Sequence, residues 1–157
     1  MVVDFKDIVD SSRLWIFQLN RALTILEKDY LSSQANSFLE SWAAHGTGLV
    51  AAFSIEDSRF LLVAADESKA NASGCSIDSL THFLQDMQKQ MKIDFFDRSS
   101  IVYNADNQLK SMPFVEFRDK LSSGEISSDT RMYNTVLKQK GQLKDQFVIP
   151  AKDSWLM

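Results

Sequence analysis

Leu49-Val-Ala-Ala-Phe-Ser-Ile55 and Arg59-Phe-Leu-Leu-Val-Ala-Ala65 flank the short polar triplet Glu56-Asp-Ser58. Two apolar, β-rich runs separated by residues that favour a tight turn predict a β-hairpin. Upstream, apolar positions from Ile25 to Ala44 (Leu26, Tyr30, Leu31, Ala35, Phe38, Leu39, Trp42, Ala43) recur at threes and fours. That spacing predicts one helical stripe, ended around Ala44 or His45 by Gly46, which takes the left-handed conformation readily. Before it, Arg13-Leu-Trp-Ile-Phe-Gln-Leu-Asn20 is dense in aromatic and β-branched residues and reads as a buried strand.

Downstream of the hairpin, Asp66 to Cys75 shows no apolar periodicity and reads as a loop. A second helix follows over about Ser76 to Met91, with Ile77, Leu80, Leu84, Met87 and Met91 on one face. Ser99-Ser-Ile-Val-Tyr103 reads as a fourth strand, and Gln108 to Met112 as a short fifth one after an Asn104-Ala-Asp-Asn107 turn. Pro113 suits the first turn of a short helix over Phe114 to Leu121 that Gly124 ends. A last helical segment is expected over Leu137 to Phe147, weakened by Gly141 and stopped by Pro150.

The first hundred residues thus run strand, helix, strand, strand, helix, strand. This is the order of a ferredoxin-like split β-α-β arrangement: an α+β two-layer sandwich, helices on one side of a largely antiparallel sheet. With 157 residues, a single domain is expected, its core about 12–104 and a helical or extended C-terminal addition about 105–157.

Composition excludes several function classes. A net charge of −4 without a long basic run argues against a nucleic-acid-binding module. The longest apolar runs are far shorter than the ~20 residues of a membrane helix, so no membrane insertion is expected. The start, Met1-Val-Val-Asp-Phe-Lys-Asp7, lacks the basic beginning and apolar centre of a signal peptide. One cysteine cannot form an internal disulfide, which fits a reducing compartment, and the cytoplasm is the expected location. With no CxxC, HExxH or paired His at helical spacing, no metal site is expected. No cofactor is expected either. Eleven Phe and three Trp are accounted for equally by a filled core or by a homodimer through an exposed aromatic surface.

Chemistry concentrates in Ala72-Ser-Gly-Cys-Ser-Ile-Asp78, where a loop becomes a helix N-terminus. Free amides there favour an anion or a reactive thiolate. Ser73, Gly74, Cys75 and Ser76, with Asp66 and Glu67 at the preceding strand end, are therefore candidate contacts for a small anionic ligand or a protein partner. The structural alternative makes Ser76 a cap, Asp78 a complement to the helix dipole and Cys75 a small buried hydrophobe. In the catalytic alternative Cys75 is the nucleophile, His45 the base and Asp78 or Asp66 the group that orients it. His82 lies about two turns along the same helix, roughly 10 Å by helical rise, too far for a direct hydrogen bond to Cys75. The structural reading of His45 places it at a helix C-terminus, where a cation is favoured. The leading expectation is a noncatalytic ligand-binding or protein-interaction domain that uses the 66–78 loop.

Trp42-Ala-Ala-His-Gly46, Asp66-Glu67, Ala72 to Asp78, Phe96-Asp-Arg98 and the end from Pro150 to Trp155 together carry a resemblance. The chain resembles a family of small, uncharacterised bacterial proteins often labelled "ABC transporter ATPase". The resemblance spans nearly the whole chain, and its most specific piece is Ser73-Gly-Cys-Ser-Ile-Asp78. The label would imply a phosphate loop of the form GxxxxGK[ST], whose amides and lysine hold a nucleotide. Gly46, Gly48, Gly74, Gly124 and Gly141 are each followed by a residue other than Lys. Transporter-type ATPase activity is therefore not expected, while an accessory role in a transport system stays open.

Overall fold

In the computed structural model, which describes residues 1–156, the expected hairpin forms from β4 (Val50–Glu56) and β5 (Phe60–Asp66). The two are antiparallel from Val50↔Asp66 to Glu56↔Phe60. Asp57 and Ser58 turn the chain with positive φ, and the Arg59 N–H donates to the Glu56 carbonyl at 3.0 Å. Arg59 is itself buried, and its Nε donates to the Leu19 carbonyl at 2.7 Å.

β1 (Arg13–Gln18) pairs antiparallel with the other edge of β5, giving the order β1-β5-β4. β5 is central and covered on both faces, which accounts for its unbroken apolar run. On one face Leu61, Val63 and Ala65 join Leu31 and Leu39 of α1 (Ile25–Glu40) and Leu80, Leu84 and Met87 of α2 (Gly74–Met91). Phe38 and Phe83 stack between the helices, ring centroids 4.6 Å apart. On the other face Ala64 and Ala52 pack with Ile8, Val3 and Phe5.

Chain contacts divide the protein into two compact units, Met1–Asp97 with Lys138–Gly141, and Arg98–Leu137 with 142–156. In the second, β6 (Ser100–Ala105) and β7 (Gln108–Pro113) form a hairpin across Asp106 and Asn107, both at positive φ. β8 (Arg131–Tyr133) and β9 (Val148–Pro150) extend this sheet in the order β7-β6-β8-β9. Its core gathers Ile101, Tyr103, Met132 and Ala151 around Phe117 and Leu121 of α3 (Phe114–Ser123), which follows Pro113 and ends at Gly124 with φ 81°.

Three expectations change. First, the fourth strand does not lie beside β1. β6 pairs with β7 and β8 instead, because a two-residue left-handed turn pairs a strand with its immediate successor at little entropic cost. The outer edge of β1 is held at its ends by other residues. The Leu14 N–H donates to the Lys138 carbonyl at 2.9 Å, and the Gln18 carbonyl accepts from the Asp97 N–H at 3.1 Å.

Second, α1 ends at Glu40 rather than near His45. Trp42 enters the core, and β2 (Ala43–Ala44) and β3 (Thr47–Gly48) make a small hairpin around His45 and Gly46, at φ 51° and 80°. Two successive positive φ angles define the turn type that matches strand twist. Third, 137–147 is mostly not α-helical. α4 spans only Leu143–Gln146, and Gly141 passes so close to Asp10 that a Cβ would lie 3.2 Å from it.

α1 starts with a reciprocal cap. The Thr24 N–H donates to Glu27 Oε1 at 2.9 Å, and the Glu27 N–H donates to Thr24 Oγ1 at 3.2 Å. Both Arg21 Nη atoms also donate to the Glu27 carboxylate, at 2.9 and 2.8 Å. The Arg21 bonds first, and then the Thr24 amide, lower the Glu27 pKa from 4.5 to about 2. A carboxyl held below its unfolded value stabilises the fold fully above that value and stops doing so as pH falls through the folded one. The stability difference between the parent and Glu27→Gln, read from urea midpoints, is therefore expected to shrink as pH falls from 4.5 to about 2. A difference that stays constant across that window would refute this assignment.

Candidate functional site

β5 carries Asp66 to the end of the sheet, and residues 67–73 lead from it to α2. This connection is tied to itself. Asp66 Oδ1 accepts the Ser68 N–H at 3.0 Å, and that bond, helped by the Ser68 side chain and the charge of Lys69, holds the Asp66 carboxyl below the usual carboxylate range. Glu67 Oε2 accepts the Ala72 N–H at 2.7 Å and lies 4.0 Å from Arg13 Nη1. The Arg13 guanidinium sits 4.9 Å from the centre of the Trp15 ring.

The helix begins at Gly74, and its cap is Ser73 rather than Ser76. Ser73 Oγ accepts the Ser76 N–H at 3.1 Å, while Ser76 Oγ accepts the Ser73 N–H at 2.6 Å. Ser76 is only 2% exposed and works inside this box. Cys75 is thus the second residue of the helix, and its side chain is exposed rather than buried. Gly74 and Asp78 are exposed as well, and a Cβ at Gly74 would meet open space.

Trp42 ties the His45 hairpin to this helix start, a role the sequence did not disclose. Buried among Trp15 and Phe38, it donates from Nε1 to the Ser76 carbonyl at 2.8 Å. The hairpin tip leaves His45 exposed. Among the described residues no hydrogen bond joins His45 to Cys75.

Asp66 and Glu67 thus point their carboxylates at their own loop. Among the described residues, no group of three or more His, Cys, Asp or Glu side chains is placed to hold a metal ion. Also among these residues, no helix is long and apolar enough to cross a membrane. One signal for the loop's internal bonding was present in the sequence: Asp two residues before Ser is the spacing of an Asx turn. Compared with known proteins, the chain matches no family model, no curated protein and no solved structure.

Proposed function

We propose that this protein is a noncatalytic binding domain whose working surface is the 66–78 loop with the His45 hairpin beside it. One observation carries the reading. The loop is fixed by its own bonds at Asp66, Glu67, Ser73 and Ser76, while Lys69, Asn71, Gly74, Cys75 and Asp78 face solvent. A surface already ordered before binding loses little entropy when a ligand arrives. The Gly74 and Cys75 amides at the helix start, with Lys69 nearby in sequence, suit the carboxylate of a protein partner or a small anion.

A second reading makes the protein a cysteine-dependent enzyme, with Cys75 as nucleophile, His45 as base and Asp66 or Asp78 orienting it. The Trp42–Ser76 bond favours this reading, since it anchors the His45 hairpin at the helix start. Alkylation of the single thiol separates the two. The binding reading expects the same dependence of iodoacetamide rate on pH in the parent and in His45→Ala. A profile that moves to higher pH when the imidazole is removed would overturn it in favour of the nucleophile.

The order β1-β5-β4 with both helices on one face supports reading the first unit as a ferredoxin-like relative in which the fourth strand's place is taken by residues 97 and 138–139. An exposed unpaired thiol fits a reducing compartment, and we place the protein in the cytoplasm. Membership of the small bacterial family that the sequence resembles remains part of this proposal, without its ATPase label.

A further inference from the structure

We propose, resting on the 66–78 loop as a binding surface, that Arg13 is the residue there that takes the ligand's charge, and that the group it takes is a carboxylate. Arg13 is fixed from several sides. Its backbone pairs with Ala65 of β5 and is bridged on the other side to Gln139. Its guanidinium lies over the Trp15 ring, 4.9 Å from the centroid. Trp15 is edge-on to Trp42, whose indole donates to the Ser76 carbonyl in the first turn of α2. The negative face of an indole attracts a cation, so the guanidinium is in place before any ligand arrives.

What holds the guanidinium leaves its donors unused. Among the described residues no hydrogen bond reaches a side-chain N–H of Arg13. The neighbouring carboxylate oxygen, Glu67 Oε2, is 4.0 Å from Nη1 and already accepts the Ala72 N–H at 2.7 Å. A loose, half-exposed pair of this kind costs little to share with a ligand. The other arginines differ. Arg21 gives both Nη atoms to Glu27, Arg59 donates to the Leu19 and Asn20 carbonyls, and Arg131 donates to the Val148 carbonyl. Arg118 lies 5.6 Å from the Phe114 ring and pairs with Asp119, which has no other partner among the described residues. Arg98 is exposed, with no ring beneath it among those residues.

The edge of a planar guanidinium matches a carboxylate through two parallel N–H···O bonds. The surrounding charges select a single negative charge. Glu67 stands 4.0 Å from Arg13 with Asp66 next to it in the chain, and it repels the second charge of a phosphate dianion. Glu67 also places the ligand. Its bond to Ala72, the residue before the Ser73 cap, brings Arg13 beside the start of α2, whose dipole adds to the attraction.

The full chain, labelled with heavy nitrogen and titrated with sodium acetate at constant ionic strength, tests this by NMR. The Nε–H signal of Arg13 is expected to saturate with a midpoint of about 10 mM, and that of Arg98 to respond about tenfold more weakly. Acetyl-trialanine with a free C-terminus carries the same group on a peptide. A midpoint below that of acetate assigns a chain terminus as the ligand, an equal or higher one a small free acid, and the C-terminally amidated peptide is expected to leave Arg13 unmoved. Arg13→Lys keeps the charge without the planar fork, and is expected to raise the acetate midpoint read at the Ala72 amide about tenfold. An Arg13 signal that follows Arg98, an amidated peptide that moves it as the acid does, or inorganic phosphate with a midpoint below that of acetate overturns the proposal. So does a folded Arg13→Lys with the parent's midpoint. Saturation at the Gly74 and Cys75 amides without Arg13 overturns it and leaves the loop reading intact, whereas failure of that reading shows in the iodoacetamide profile.

Discussion

Trp42→Ala is expected to lose about 3–5 kcal/mol of stability, a large share of the roughly 5–15 kcal/mol that holds a domain of this kind folded. The indole is 3% exposed and touches both sides of the core, edge-on to Trp15 at 5.6 Å and tilted on Phe38 at 6.1 Å. Its deletion leaves a cavity that two other large rings cannot collapse to fill. Trp42→Phe separates packing from hydrogen bonding. It keeps an aromatic ring but gives up the Nε1 donor to the Ser76 carbonyl, which retains a bond from Ser79 Oγ at 2.8 Å. That variant is expected to lose only about 1–2 kcal/mol. Urea unfolding followed by far-UV circular dichroism measures both, and an alanine variant within 1 kcal/mol of the parent would contradict this account.

Phe117→Ala is expected to be as damaging to the second unit, again by about 3–5 kcal/mol. Phe117 is fully buried and meets the Tyr103 ring at 5.2 Å, so it joins α3 to the sheet beneath it. Few residues share that core, chiefly Ile101, Leu121, Met132 and Ala151. The readout is local. Amide hydrogen exchange along β6 and β8 is expected to lose protection in Phe117→Ala and to keep most of it in Phe117→Leu, whose volume deficit is smaller. Retained protection in the alanine variant would show that Phe117 does not hold this unit together.

These two residues mark where sequence reasoning stops. The β4–β5 hairpin, the period of α2 and the helix between Pro113 and Gly124 were legible because each is decided by residues close in sequence. The placement of β6 was not. Its composition announces a strand, but its partner depends on the turn that follows, and Asp106-Asn107 at positive φ pairs it with β7. Trp42 and Ala43 continue the helical spacing beyond the end of α1, whereas burial of the indole and the His45-Gly46 turn redirect the chain after Glu40. Leu26 belonged to the same apparent stripe and is 80% exposed.

In the loop, the helix start was legible to within a turn. The observed cap, Ser73, lies three residues before the expected one, because Ser76 stands where a glutamate would signal a capping box opened by Ser73. The exposure of Cys75 was equally hidden, since a lone cysteine at a helix start suits a buried or an exposed position.

The return of Lys138–Gly141 to the first unit has a consequence for biosynthesis. β1 receives the Lys138 carbonyl, and the Gly141 N–H reaches the Asp10 carbonyl at 2.8 Å, so part of that unit is encoded after most of the second. On a ribosome, 41 residues from Arg98 to Lys138 must follow Asp97 before the Leu14 amide on the outer edge of β1 meets its distal partner. At translation rates of about 5–20 residues per second this is a wait of roughly 2–8 s. During it the Leu14 amide lacks its Lys138 partner, and the nascent first unit carries an open edge that the arrival of Lys138 closes.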